Sequence, residues 1–183
     1  EAQHIGGVGV WAWQIDSGIG GHQTEVSFNS ATREEWQLWL KQKYTTIERL
    51  NEQLGLRYWG QIVSSWEDVP MPQQAPTMHN PALLLDWNRF SSDVIVQFAR
   101  MQADILHELC PDAPVTTNLR ALQRKFDHFD MAEVVDFVSV ESNAAIKAKS
   151  AELACDIDIL RSLKKENIRT PDGDVGFWVI EQK

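Results

Sequence analysis

Residues 9–22 read GVWAWQIDSGIGGH, and this stretch decides how the rest of the chain is interpreted. An apolar run rich in tryptophan is typical of a buried strand. The run ends at a single acid, Asp16, and is followed by a loop that holds three glycines. A strand that ends at a polar residue and a glycine loop is a common place for the chemistry of an enzyme. This loop itself carries almost no chemical groups.

Three further short apolar or β-branched runs stand apart from the rest of the chain. Together with the first run they predict four strands, over residues 8–15, 114–118, 135–141 and 176–182. Continuous apolar runs with turn residues at their edges indicate strands that are buried on both faces, as in a parallel sheet.

Helical patterns of apolar residues lie between the predicted strands. The first helix is expected to begin at a Thr32 cap with Glu35 three positions later. Its predicted buried face consists of Trp36, Leu40 and Tyr44. The second helix ends at Gly55, a common C-terminal signal. Residues 56–79 hold three prolines and predict a long irregular loop. Further helices are predicted over residues 80–109, 126–134 and 146–163.

This alternation of strands and helices, βαβαβαβ, predicts an α/β fold with helices packed on a parallel sheet. A complete TIM-type (β/α)₈ barrel needs about 250 residues, so about four strands in 183 residues predict a partial barrel. Residues 1–183 are expected to form a single segment of one domain. The chain begins without Met and ends directly after an apolar run, which indicates a segment of a longer protein.

The overall composition narrows the class of protein. Apolar residues make up 43% of the chain and charged residues 23%, values typical of a folded globular protein. A formal net charge of −9 disfavours binding to nucleic acid or to an anionic membrane surface, since both are negative. The sequence has neither an apolar run of membrane-spanning length nor the basic start of a signal peptide, and it therefore predicts a cytoplasmic protein.

The two cysteines, Cys110 and Cys155, lie far apart and show no ligand-like spacing. They predict neither a disulfide framework nor a cysteine zinc site, and we expect both to be buried thiols. No cofactor is predicted.

Candidate functional residues lie where the predicted strands end. In parallel α/β folds the active site is at the carboxyl ends of the strands. Here these ends hold three acids and one amide, namely Asp16, Asn118, Glu141 and Glu181. Polar groups gain nothing from burial unless they are hydrogen-bonded, so their repetition at four strand ends indicates a site. The alternative is that they cap the helices that follow.

Eight tryptophans are many for a chain of this size. Flat aromatic faces beside carboxylates suit sugars, whose C–H faces stack while their hydroxyls form hydrogen bonds. Trp36, Trp39 and Trp87 fall on helical stripes and are expected in the core. Trp59 and Trp66 lie in the irregular loop and are the better candidates for contact with a ligand or partner.

The segments WQIDSGIG, HQT, WLKQKYTTIERLNEQLGLRYWGQIVSSWEDVPMP, NPALLLDWNRFSSD, VTTN, DFVS and FWVIEQ cover nearly the whole chain. In this order they resemble the central part of the catalytic barrel of the family 42 glycoside hydrolases, the β-galactosidases. The resemblance implies that the chain covers the fourth to the seventh strand of a (β/α)₈ barrel. Members of this family are retaining enzymes that cleave terminal β-D-galactosides with two carboxylates. Glu181 occupies the position of the family's nucleophile, in its EQ motif.

The sequence departs from the family at the second carboxylate. The family motif after the fourth strand is WQIDNEYG, in which Glu is the acid/base. Here Ser17 stands at the Asn position and Gly18 at the Glu position. The resemblance therefore implies that the proton donor is lost, and we expect the isolated chain to lack galactosidase activity.

Two further departures concern metal and sugar contacts. The positions of a cysteine-rich zinc site found in many relatives hold Gly21, Ser27, Asn29 and Thr32, so no metal is predicted. After the sixth strand, residues 140–144 replace a Trp-Asp and Tyr-Pro pattern that shapes the sugar pocket. Asn118 matches the family's Asn after the fifth strand, and Glu141 is a conceivable replacement acid.

Three hypotheses remain open at this point. The chain is part of a β-galactosidase barrel that acts on β-galactosides, a non-catalytic carbohydrate-binding relative, or a structural half-barrel. In the last case it covers its open sheet edges by self-association or by docking to the remainder of a larger chain.

Overall fold

The computed structural model describes residues 10–20, 27–73, 76, 78–121, 123–141, 150–164 and 178–180. Within these ranges the side chains of Trp59, Glu141, Ser150, Glu152, Leu153 and residues 178–180 are not described. The elements in chain order are β1 (Trp13–Gln14), α1 (Ser30–Tyr44), α2 (Ile47–Gln53), a 3₁₀ turn (Leu56–Trp59), α3 (Pro81–Leu109), β2 (Val115–Thr116), β3 (Asn118–Leu119), α4 (His128–Val134), β4 (Ser139–Glu141), α5 (Ser150–Ser162) and β5 (Trp178–Ile180). The predicted α/β class is confirmed.

The described strands pair in parallel, as predicted. β1 pairs with β2, and β3, β4 and β5 form a second sheet in that order. Only Thr117 separates β2 from β3, so the second predicted strand changes its partner at this residue, from β1 before it to β4 after it. The strands are shorter than predicted, because residues 10–12 and 135–138 are not part of a ladder.

Contacts divide the chain into two compact units. The strand unit comprises Glu1–Thr24 and Asp93–Lys183, and the helical unit comprises Glu25–Ser92. In the strand unit, apolar side chains of the strands pack against helices in one continuous cluster. Its buried members are Ile15, Ile19, Val96, Ala99, Ala103, Val115, Leu119, Phe126, Met131, Ala132, Val134, Val135, Val138, Val140 and Leu160.

The helical unit has a core built on aromatic rings. Trp36 is fully buried, stacks on Trp39 with ring centroids 5.6 Å apart, and meets Trp87 edge-on at 5.3 Å. Leu40, Tyr44 and Leu50 complete the inner face of the two short helices. The prediction that Trp36, Trp39 and Trp87 serve the core is confirmed, with Trp39 partly buried against it.

A buried carboxylate joins the helices of this unit. Asp86 is only 2% exposed, and it accepts hydrogen bonds from the Lys43 ammonium and the Tyr44 hydroxyl. Arg89 lies 3.6 Å from the same carboxylate. Burial of the phenol, followed by its hydrogen bond to Asp86, raises the pKa of Tyr44. Lys43 and Arg89 pair this charge inside the unit, and Tyr44 adds a hydrogen bond.

The helix boundaries follow local capping chemistry. α1 begins two residues before Thr32, because the side chain of Asn29 accepts from the Thr32 amide, 2.9 Å away. The prediction of a Thr32 cap was wrong. α3 begins as predicted, since the Asn80 side chain accepts from the amides of Ala82 and Leu83. No helix among the described residues is long and apolar enough to cross a membrane.

The predicted irregular loop is packed against the helical unit. After the 3₁₀ turn, its described residues contain neither helix nor strand. Asn51 of α2 binds both backbone groups of Val63, at 2.8 and 3.0 Å, and the Trp36 indole donates to the Pro70 carbonyl. Val69 is 1% exposed. Leu56, Val69 and Met71 of this loop are therefore part of the core of the helical unit, whereas Tyr58, Ile62 and Met78 are exposed.

Candidate functional site

The loop after β1 is a tight, ordered turn. Asp16 has φ 47°, a left-handed conformation that Asp tolerates better than most residues, and its carboxylate accepts from the Ser17 amide at 2.7 Å. Gly18 and Gly20 are also left-handed, with φ of 69° and 68°. A Cβ on Gly20 would lie 3.0 Å from the ring of Phe126, so the backbone approaches this ring closely. The left-handed backbone at Gly18 and Gly20 thus favours glycine at both positions.

Asn118 connects this turn to the neighbouring strand. Its side-chain oxygen accepts from the Gly18 amide at 2.9 Å and from the Gln14 side chain at 3.1 Å. Gln14 also donates to the Asp16 carbonyl at 3.3 Å. Asn118 is 2% exposed and belongs to β3. We call Gln14, Asp16, Gly18 and Asn118 the strand-end cluster, since they lie where β1 and the following strand approach their carboxyl ends.

Gln14 was missed by the sequence interpretation. It lies two residues before Asp16, but its hydrogen bond to Asn118 joins residues 104 apart in sequence, which a local pattern does not reveal. On the same face of the next strand, the Thr116 hydroxyl donates to the Phe137 carbonyl at 2.7 Å. Ser139 in turn donates to the Thr117 carbonyl at 2.8 Å. These polar side chains alternate with Val115, Val138 and Val140, which pack in the apolar cluster of the strand unit.

The amino ends of the strands carry charged groups instead. The Asp136 carboxylate accepts from the Val115 amide at 2.6 Å and contacts His107 at 2.8 Å. Lys164 donates to the Val135 and Asp136 carbonyls, and burial lowers the pKa of its ammonium. In parallel α/β folds this end contributes to stability, whereas ligands bind at the carboxyl ends.

Of the other four predicted site residues, the structure describes the side chain of Trp66 alone. Glu141 is the last residue of β4 and is opposite Ile180 in the ladder, but its side chain is not described. Glu181 follows β5 directly in sequence and lies outside the described residues. Trp59 ends the 3₁₀ turn, and only its backbone is described. Trp66 is partly buried against the core of the helical unit.

The positions compared with a zinc site have other roles where they are described. Asn29 caps α1 through the Thr32 amide, and Gly21 lies outside the described residues. Among the described residues, His, Cys, Asp and Glu side chains form no group of three that could hold a metal ion. Cys110 and Cys155 are not joined by a disulfide. The expectation that both are buried was wrong, because Cys155 is exposed on α5 and Cys110 is only partly buried.

Comparisons with known proteins agree with this architecture. Residues 3–183 match the profile of glycoside hydrolase family 42, described as Beta-galactosidase. β-Galactosidase BgaA of Clostridium cellulovorans is 32% identical over 94% of this chain and 25% of that protein. β-Galactosidase YesZ of Bacillus licheniformis is 33% identical over 98% of this chain and 26% of that protein. This chain therefore spans about a quarter of the length of these curated relatives.

A solved structure shows the same fold. The β-galactosidase of Halorubrum lacusprofundi superimposes with a TM-score of 0.83 at 28% identity, over 99% of this chain and 28% of that chain. The strands and helices described above are thus similar to part of a TIM-type barrel β-galactosidase. The match over nearly all residues shows that this chain belongs to glycoside hydrolase family 42.

Proposed function

We propose that the chain is one segment of the catalytic barrel of a retaining β-galactosidase and supplies its fourth to seventh strands. Two observations support this proposal: the family match over residues 3–183, and the names of the two curated relatives reported above, both β-galactosidases. The reaction proposed for the complete enzyme is hydrolysis of terminal β-D-galactosides. The cytoplasmic location stays a prediction.

The observation that carries this proposal is the hydrogen bonding of Asn118. Its oxygen, on β3, accepts from the Gly18 amide and from the Gln14 side chain. These groups lie near the carboxyl ends of the strands, where parallel α/β enzymes bind their ligands. Amide and carboxylate groups are suitable partners for sugar hydroxyls. We therefore assign substrate contact to Asp16 and Asn118 and, less directly, to Glu141, Trp59 and Trp66.

The second step of the proposal concerns the catalytic pair. A retaining glycosidase needs one carboxyl group as nucleophile and another about 5 to 5.5 Å away as acid/base. We assign the nucleophile to Glu181 and the lost acid/base to position 18. Gly18 offers only a backbone amide, which already donates to Asn118. Removal of a general acid/base lowers the rate by about 10² to 10⁴-fold.

An activated substrate separates the two catalytic roles. With a nitrophenyl β-galactoside, the Glu181 carboxylate would attack the anomeric carbon and nitrophenolate would leave without needing a proton donor. Azide would then attack the same carbon and release the carboxylate, giving galactosyl azide. In the complete enzyme that contains this segment, we expect slow nitrophenolate release that azide accelerates by at least about 10-fold.

The control variant is Glu181→Gln, which removes the nucleophile and should abolish both reactions. Lactose, whose leaving group needs a proton, should not be cleaved measurably. If nitrophenolate release is absent both with and without azide, the catalytic proposal is wrong.

A second candidate function is carbohydrate binding without catalysis. It is favoured by one observation, namely that the strand-end cluster keeps its polar contacts while position 18 has no carboxylate. Galactose or lactose should then quench tryptophan fluorescence at millimolar concentration, and Asn118→Ala should remove the response. A flat titration of the unmodified chain would exclude this function.

A further inference from the structure

The turn between α1 and α2 has a strained backbone. Thr45, which follows α1 directly, has φ 68° and ψ −48°. The Thr46 amide donates to the Tyr44 carbonyl at 2.7 Å, so Thr45 is the single residue between the two bonded groups. This is a γ-turn of the type with positive φ, which is rare and strained. A β-branched side chain fits this conformation poorly, whereas glycine adopts it readily.

Contacts on both sides of Thr45 fix the turn. Before it, Tyr44 is 3% exposed and its hydroxyl donates to Asp86. After it, the Thr46 side chain caps α2 by accepting from the Arg49 amide at 3.3 Å. Strained conformations persist only where the surrounding structure holds them. The turn should therefore relax when either of its two ends is released.

The two helices that meet at this turn are anchored unequally. α1 has fifteen residues and buries three side chains, whereas α2 has seven residues and buries Leu50 alone. A further anchor of α2 is Asn51, whose side chain binds both backbone groups of Val63. Because fewer buried contacts hold α2, release of the strain should begin on its side of the turn.

We propose that Thr45 is a strained joint that makes α2 the first helix of the helical unit to open. In the open state, α2 unwinds and the contacts between Asn51 and Val63 are lost. α1 stays in place, together with the contact between Tyr44 and Asp86. Thr45 then returns to an ordinary negative φ, and this relief favours opening by about 5- to 100-fold relative to an unstrained turn. The joint is a property of the helical unit and is independent of any galactosidase activity.

Amide hydrogen exchange of the 183-residue chain detects this opening. Three amides report on α2, namely those of Leu50 and Leu54, whose hydrogen bonds run along the helix, and that of Val63, which donates to the Asn51 side chain. We expect all three to be at least about 10-fold less protected than the amides around Leu40 of α1. Low concentrations of urea should barely alter their protection, because a local opening exposes little surface.

Thr45→Gly tests the strain itself. Thr45 is exposed, so the change removes no buried side chain. Glycine fits the turn, but it also gains more freedom than Thr when α2 opens, which offsets part of the stabilisation. We expect the protection factors of the three α2 amides to rise about 3- to 10-fold. Thr45→Ala keeps a Cβ in the strained conformation and should raise them less.

The matched control is Thr46→Gly, the same replacement at the next residue. Thr46 has φ −128°, an ordinary extended conformation, and its side chain caps α2. Here glycine relieves no strain and removes the cap, so the protection of the α2 amides should fall by about 3-fold. The two glycine variants should thus change the exchange of α2 in opposite directions.

Two results would overturn the proposal. One is a fall, or no change, in the protection of the α2 amides in Thr45→Gly, because the turn would then store no strain. The other is protection of the α2 amides in the unmodified chain that equals that of the α1 amides, because α2 would then not be the first helix to open.

Discussion

The two units of this chain bury polar groups for different purposes. In the helical unit, Asp86 is a charged group surrounded by Lys43 and Tyr44, and this contact joins helices. In the strand unit, Asn118 is equally buried but neutral, and its contacts hold a loop at the carboxyl edge of the strands. A buried polar group therefore joins helices in the helical unit, whereas in the strand unit it orders the loop of the strand-end cluster.

The largest expected effect concerns the aromatic core. Trp36→Ala removes a fully buried indole in contact with three other rings. We expect it to lower the free energy of unfolding of the helical unit by about 3 to 5 kcal/mol, from lost burial and the cavity left behind. Chemical denaturation, monitored by hydrogen exchange at amides of the helical unit, measures this loss. Leu38→Ala, at a half-exposed position of the same helix, is the control and should cost under about 1 kcal/mol.

The next effect concerns the buried carboxylate. Asp86→Ala leaves the Tyr44 hydroxyl and the Lys43 ammonium without their acceptor. We expect a loss of about 2 to 4 kcal/mol in the free energy of unfolding, less than for a fully buried pair because Lys43 is 31% exposed. The control is Asp104→Ala, an exposed acid on the same helix. Equal stability of the two variants would show that the Asp86 contacts contribute nothing.

A smaller effect is expected at the strand-end cluster. Asn118→Ala removes the acceptor for the Gly18 amide and the Gln14 side chain, at a cost of about 1 to 3 kcal/mol. Hydrogen exchange at Gly18 should become faster. In the helical unit, Asn51→Ala removes a similar side-chain bridge to Val63 and should accelerate exchange at Val63 only. If either variant accelerated exchange at both the Gly18 and the Val63 amide, separate roles for the two units would be contradicted.

The backbone of the turn gives a further, modest effect. Gly18→Ala places a side chain at φ 69° and should cost about 1 kcal/mol. Gly18→Asn should cost less, since Asn tolerates this conformation better. Thermal unfolding of the two variants measures the difference. If Ala and Asn prove equally harmless, the left-handed turn is not required.

The last prediction concerns how the free energy of unfolding depends on pH, and it becomes visible only at alkaline pH. The pKa of Tyr44 is raised in the folded chain above its ordinary value of 10.0, so the folded state keeps its proton where the unfolded state has lost it. This contribution to stability is complete below about pH 10 and is lost as the pH rises above it. Urea unfolding between pH 9 and about pH 11 should show this decrease, and Tyr44→Phe should reduce it.

Much of the helical structure could be predicted from the sequence because local chemistry determines it. Asn80 and Pro81 mark the start of α3, and Gly55, which is left-handed, follows the end of α2. The exact start of α1 could not be predicted, since Asn29 and Thr32 are both good capping residues. The choice between them depends on the direction of the incoming chain.

Strand lengths and the site were predictable only in part. The apolar runs locate the strands, but which residues pair depends on neighbours that are distant in sequence, as the change of partner at Thr117 shows. Asp16 and Asn118 were found because they end strands. The role of Gln14 depends on a contact across 104 residues, which a local pattern does not reveal. The roles of Glu141, Glu181, Trp59 and Trp66 stay predictions.

The central claim is that the strand-end cluster contacts a sugar, whereas the buried Trp36 core of the helical unit does not. An NMR titration of the isotope-labelled chain with galactose tests this most directly. We predict that the Gly18 amide and the side-chain amides of Gln14 and Asn118 shift with an affinity on the order of 1 to 10 mM, while the Trp36 indole signal stays unchanged. Absence of shifts in the cluster, or shifts confined to the helical unit, would contradict the account.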